Sequence, residues 1–562
     1  MATPTAHPGR KAMSPPRPGR ARLLADQLVY AVRDLWRTRI AFIFTFLFPL
    51  TILLAVGAMT GNAQVAPGSD VRIMQFVTPS AGVMGALYGA YPTVASSLAD
   101  AREKGVLKRL RGTPLPGWIY LAGRIGAAAL MAVGSLALML AVGVLAYGVH
   151  IQWHTMPATV VTVLVAVISF AALGVAVAGL ARSAMVAQAV SIATAVALSF
   201  VSGVMGYGDM PDWADRIAAV FPLKPFSDAV AEQFDPFSTA DGWDLPALGL
   251  MAAWAVGAGG VAALAFRWEP ARGQRVRRSR HVPSDEHRVE GVGPAARRRQ
   301  AGLRAAVPGR PSWLSLLKAQ TGWATRSALR DPGWVFFAIA MPVGLYMLNV
   351  AMMGEALDSS TFRPPLVLQN AAGLTAWGAA VNVMVNLPDD VARARDRGIL
   401  KRLRGAPLQI GFYFAGRFVS GLLLALVTGI LIVAAGLAWF GLDLSWSGVP
   451  LALGLLVLGT ASLAACGLLL VAVLPNSKAT LAVGLGLALP LSFFSDIFVF
   501  GALPDWMSTV GSFFPLKHLA NGLSAALDPS GMSVNGVGIA VMGAWLLGAT
   551  VLATKLFRWS PR

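Results

Sequence analysis

Few residues in this 562-residue chain could do chemistry. Asp389 and Asp390 beside Arg393 are the one cluster that a membrane-embedded enzyme, such as a lipid-linked transferase, could use. The cluster stands just upstream of a basic loop, which favours a structural role. The six histidines show no ligand spacing, and Cys466 is alone in an apolar run. Neither a disulfide framework nor a multi-cysteine metal site is therefore expected, and no metal is assigned. No GxxxxGK(S/T) occurs, so the phosphate cradle of an ATPase is absent and no catalytic residue is assigned.

The most informative spacing is basic rather than catalytic. The segment from Glu103, EKGVLKRLRGTPLPGWIYLAGRI, returns at Asp396 as DRGILKRLRGAPLQIGFYFAGRF, with Gly105 and Gly398 set 293 positions apart. As a helix, Leu107 and Leu110 share one face, and Lys104, Lys108 and Arg111 share another. Pro114 and Pro407 end it before the next apolar run. A lone juxtamembrane KRLR is ordinarily a topology determinant; near-identity in two copies indicates a shared requirement.

The same offset of 293 recovers Pro49 with Pro342, Arg124 with Arg417, Pro211-Asp212-Trp213 with Pro504-Asp505-Trp506, and Phe221-Pro222-Leu223-Lys224 with Phe514-Pro515-Leu516-Lys517. It slips by two near the end, where Phe266-Arg267-Trp268 answers Phe557-Arg558-Trp559. The chain is one unit written twice.

The elements that carry these motifs are membrane spans. The chain is 56% hydrophobic and only 13% charged, about half the charge of a soluble protein. Its formal net charge of +19 would suggest nucleic acid in a soluble chain, but the basic residues collect between long apolar runs. No nucleic-acid partner is expected. Each unit offers six stretches of the roughly 20 apolar residues that a span needs. They fall near 39–59, 73–99, 117–147, 156–180, 184–206 and 245–266, then near 333–353, 366–388, 410–440, 449–474, 478–500 and 535–557.

The expected fold is an all-α polytopic membrane protein with twelve transmembrane helices in two parallel six-helix repeats. Expected divisions are a disordered cytoplasmic tail over 1–21, a first unit over 22–267, a basic cytoplasmic linker over 268–311 and a second unit over 312–562. The first residues lack the unbroken apolar core of a cleavable signal. Lys and Arg gather in the tail, the 101–111 loop, the linker and the 393–404 loop, which places both termini in the cytoplasm. Before each first span lies an amphipathic stretch. In the first, Leu24, Leu28, Leu35 and Trp36 oppose Arg22, Asp26, Arg33 and Arg37; Gln27 and Arg37 recur as Gln320 and Arg330. It reads as an interfacial helix, either a lipid anchor or an elbow that also touches a partner.

Polar residues inside spans mark transport paths or helix-pairing sites. Asp496, Asn382 and Asn386 are the candidates; the offset places Gly203 opposite Asp496. Small residues, as in GALYGAYPTVASSLA, are expected to let the two units approach along a seam.

The segments REKGVLKRLRGTPLP and RDRGILKRLRGAPLQ resemble the signature of type-2 ATP-binding-cassette (ABC) exporter permeases, the daunorubicin-resistance branch in particular. The resemblance covers the chain apart from tail and linker. It implies that the basic loops are coupling helices that dock in a groove of a separate ABC ATPase subunit. The docking residues would be Glu103, Lys104, Gly105, Leu107, Lys108, Arg109 and Arg111, with Asp396, Arg397, Gly398, Leu400, Lys401, Arg402 and Arg404. It also implies that 207–244 and 501–534 form re-entrant helices capping the pathway, carrying Trp213, Pro222, Lys224, Trp506, Pro515 and Lys517; a simple folded outer loop is the alternative.

These readings converge on a permease in the bacterial plasma membrane that exports lipophilic compounds, such as a drug, antibiotic or lipid-like molecule, along the seam between its halves. Two ATPase copies would use ATP and Mg, with no cofactor bound by this chain. The rival is an ion-coupled secondary transporter, which usually leaves several intramembrane carboxylates where Asp496 is nearly alone.

Overall fold

A computed structural model describes residues 19–37, 42–65, 69–113, 115–204, 211–265, 312–353, 365–405, 409–498 and 503–559. Most of the expected tail and the whole basic strap over 268–311, with Pro114, Pro407, Asp209 and Phe266-Arg267-Trp268, lie outside the described residues.

Every regular element described is a helix, and the two units match element by element. Gly117–Tyr147, Met156–Leu180 and Ala184–Val201 correspond to Ile410–Trp439, Val449–Val473 and Ser477–Phe494. Short helices Asp212–Ala218 and Leu223–Gln233 answer Asp505–Ser512 and Pro515–Ala526. The sixth elements, Leu245–Ala265 and Gly536–Leu556, carry the slip of two. Local chemistry sets the boundaries. Ser183 and Asn476 hold equivalent N-cap positions, accepting from Val186 N and Ala479 N at 3.2 and 2.9 Å, a contact worth about 1 kcal/mol each.

Among the described residues nine helices are long and apolar enough to cross a membrane. The remaining expected stretches are the short apolar helix Thr45–Thr60 and the two second spans, Met74–Glu103 and Leu366–Ala380 with its continuation. The second spans are less apolar because protein encloses them. Nearly all of Met74–Glu103 is buried against the third, fourth and fifth helices of its own unit. A helix shielded from lipid can hold Gln75, Thr78 and Thr93, all buried.

The first spans are not uniform. Ile43–Leu47 and Phe336–Ala340 are π-helical turns at equivalent positions. A π turn frees backbone carbonyls, and the third helix supplies donors. The Ser135 hydroxyl donates to Thr45 O at 2.6 Å, and Thr428 donates to Ala338 O at 3.0 Å.

The units meet where the first span of each packs against the fifth span of the other. Leu489 and Phe493 join the first unit's core, while Phe200 joins the second's. The expectation that the small residues of 85–99 form this seam is corrected. A side chain added at Gly85 would strike Ser135 and Thr45 of its own unit, so these residues pack the second span into its own bundle.

Candidate functional site

Each basic knob is a separate short helix, Val106–Arg111 or Ile399–Arg404, that follows a break at glycine. Gly105 and Gly398 take φ +67° and +69°, the left-handed region that other residues enter at a penalty. The break corrects the expected basic face. Lys104 lies in the turn before the helix and pairs with Asp100 at 2.6 Å instead of lining up with Lys108 and Arg111. Leu107 and Leu400 are buried beneath their knobs, and Lys108, Arg109, Arg111, Arg397, Lys401, Arg402 and Arg404 are exposed. Arg404 lies 5.9 Å from the Trp559 ring centroid.

Glu103, half-buried, and Asp396, exposed, both turn toward the fifth helix of their unit. Glu103 accepts from Ala184 N and Asp396 from Ser477 N, each at 2.9 Å, so both carboxylates hold the start of the fifth helix. Beside them stand two residues that sequence reasoning passed over. Arg102 donates to the carbonyls of Ala178 and Ala181, and Arg395 to those of Val471 and Leu474. Both arginines satisfy carbonyls at the end of the fourth helix, which would otherwise be orphaned. The signal was available, since Arg102 and Arg395 recur at the repeat offset inside the quoted motif.

The interfacial helices Arg20–Arg37 and Trp313–Leu329 lie across the start of the third helix. Gly123 and Gly416 permit that approach: an added Cβ would stand 2.9 and 2.6 Å from Gln27 Cβ and Gln320 Cβ. Arg124 pairs with Asp34 at 2.7 Å, whereas its counterpart Arg417 pairs with Asp390 at 2.9 Å. The carboxylate has moved from the interfacial helix to the second span, with Ser327 and Ser97 at the vacated registers.

At the opposite end, Trp213 and Trp506 are exposed while Pro222 and Pro515 are buried. Lys224 reaches Asp215 and Asp228 at 3.2 and 3.1 Å; Lys517 reaches Ser508 Oγ at 2.8 Å and Asp496 at 3.2 Å. Asp496 thus clamps the short helices Asp505–Ser512 and Pro515–Ala526 to the end of the fifth helix. Trp254 and Trp545, also passed over, donate from Nε1 to Val220 O and Phe513 O at 2.8 and 2.7 Å. They strap each pair of short helices to the sixth helix of its unit.

Between the units lies a cavity of about 490 Å³. Phe48, Tyr88 and Phe200 of the first unit face Phe337, Trp377 and Leu489 of the second across it. Its knob end carries Asp100, Asp389, Arg393 and Lys478. Asp389 is ion-paired with Arg393. Asn386 lines this cavity. Asn382 instead donates to Gly378 O at 3.0 Å and Ala338 O at 3.4 Å, serving backbone around two π turns. The three candidate path residues are therefore not brought together. No group of acidic, histidine or cysteine side chains able to hold a metal occurs among the described residues.

Residues 28–234 match the sequence profile of the ABC-2 type transporter, and residues 364–555 that of the ABC-2 family transporter protein. No curated protein sequence matches the chain.

Proposed function

The chain belongs to the ABC-2 type transporter permeases, as a tandem of two such domains in one multi-pass membrane protein, and from that premise we propose how it exports. ABC-2 domains are the transport part of an ABC exporter, which implies an ABC ATPase as partner. In this reading the chain crosses the bacterial plasma membrane twelve times with both termini in the cytoplasm. Two ATPase subunits, using ATP and Mg, dock on the paired knobs through Lys108, Arg109 and Arg111 and through Lys401, Arg402 and Arg404.

ATP binding draws the ATPases together. Because Arg102 and Arg395 bolt the knob bases to the fourth helices, each knob moves its unit as a body. The seam of first against fifth helices shifts, and lipophilic cargo passes outward between the units beneath the two caps. The observation that carries this reading is the cavity, which is bounded by both units, apolar along its walls and charged at its knob end.

Affinity capture of the detergent-solubilised chain from its native cells tests the docking. An ABC ATPase subunit co-purifies with the parent, and the double variant Lys108→Glu/Lys401→Glu releases it. Retention by that variant refutes the docking assignment.

A further inference from the structure

The cavity is not polar in equal measure on its two sides. Its uncommitted polar side chains include the Gln188 amide of the first unit, but the ammonium and the buried donors without a partner come from the second unit. The Trp377 side chain is 4% exposed, and its indole N–H finds no acceptor among the described residues. The buried amide Nδ2 of Asn386 also has no partner there. Lys478 at the knob end is exposed and has neither an ion pair nor a hydrogen bond among the described residues. At the matching registers the first unit carries Met84, Thr93 and Met185, and the Thr93 hydroxyl is already spent on Tyr88 O at 2.9 Å.

The acidic groups at the same mouth are committed. Asp100 is held by Lys104 and Asp389 by Arg393, while nearby Asp396 accepts from Ser477 N. A cationic head would find no free carboxylate and would face the Lys478 ammonium. Unpaired buried donors carry a desolvation penalty, which a ligand acceptor removes. The volume falls within the roughly 300–1,000 Å³ of small-molecule sites.

We propose that the cavity takes an anionic amphiphile, an apolar body ending in a carboxylate or phosphate, with Lys478 and Asn386 receiving the head and Trp377 an acceptor further along. This names the cargo class for the exporter reading above and rests on it. The head stays at the knob end, the apolar body fills the space between Phe48, Phe200, Phe337 and Leu489, and the second unit alone selects the charge.

The test is equilibrium binding to the purified full chain in phosphatidylcholine nanodiscs, without ATPase. The probes are tritiated oleate, 1-oleoyl lysophosphatidate and oleylamine, which share one chain and differ in head. The two anions are expected to bind about 10-fold tighter than the amine, the equivalent of one well-placed polar contact. Lys478→Met, which installs the first unit's own residue at an exposed site, brings the three within about 3-fold, and Lys478→Glu reverses the order. Whichever anion binds tighter separates a free carboxylate from a phospholipid-type head as the source. Equal binding or a preference for oleylamine overturns the anionic assignment, and an anion preference that survives Lys478→Met overturns Lys478 as the group that receives the head; each leaves ATPase co-purification intact. Absence of binding by all three overturns the cavity as the cargo site as well.

Discussion

Arg102 donates to the carbonyl of Ala178 at 2.7 Å, and Arg395 repeats the bond to Val471 at 2.6 Å. The knob base is therefore joined to the fourth helix in both units. A charged donor on a buried carbonyl is worth about 1.5–3 kcal/mol, and leaving that carbonyl unpaired is the larger part of the loss. Arg102→Met and Arg395→Met are each expected to lower stability by about that amount in thermal unfolding of the solubilised chain. Lysine at either site should fall between, since it keeps the charge and loses the two-pronged fork.

Gly105 sets the direction of the first knob. Ala in its place must hold φ +67° with a Cβ, which costs about 1–2 kcal/mol; Asn, which tolerates that region better, should lose less. Paired measurements of melting and of ATPase co-purification check the order Gly, Asn, Ala.

The relocated carboxylate gives a two-step test. Asp390→Ser strands Arg417, whose side chain is 5% exposed, and should cost about 1–2 kcal/mol because Asp390 itself is half-exposed. Adding Ser327→Asp rebuilds in the second unit the arrangement that Asp34 and Arg124 make in the first, and recovers most of the loss. Chemical denaturation of the single and double variants reads the difference.

The duplication was legible because a fixed offset needs no structure. Both knobs, the first-span prolines Pro49 and Pro342, and Lys224 with Lys517 all return at it. Side-chain direction was not legible. Lys104 reads as part of one basic helix with Lys108 and Arg111, but Gly105 breaks that helix, Lys104 turns back to Asp100, and Arg102, to which the sequence reading gives no role, turns inward. Hydropathy reports exposure to lipid, so it could not rank a second span that protein surrounds. Small residues signal close packing without saying with what, which is why Gly85 was assigned to the seam and is found against Ser135.

The most direct test is the side of the membrane on which the two knobs stand. Single variants Lys108→Cys and Lys401→Cys, each on a Cys466→Ala background, are exposed to a membrane-impermeant thiol reagent in intact cells and in inverted vesicles. Two parallel units predict that both positions label in inverted vesicles and neither labels in cells. Labelling of one knob from each side would contradict the account.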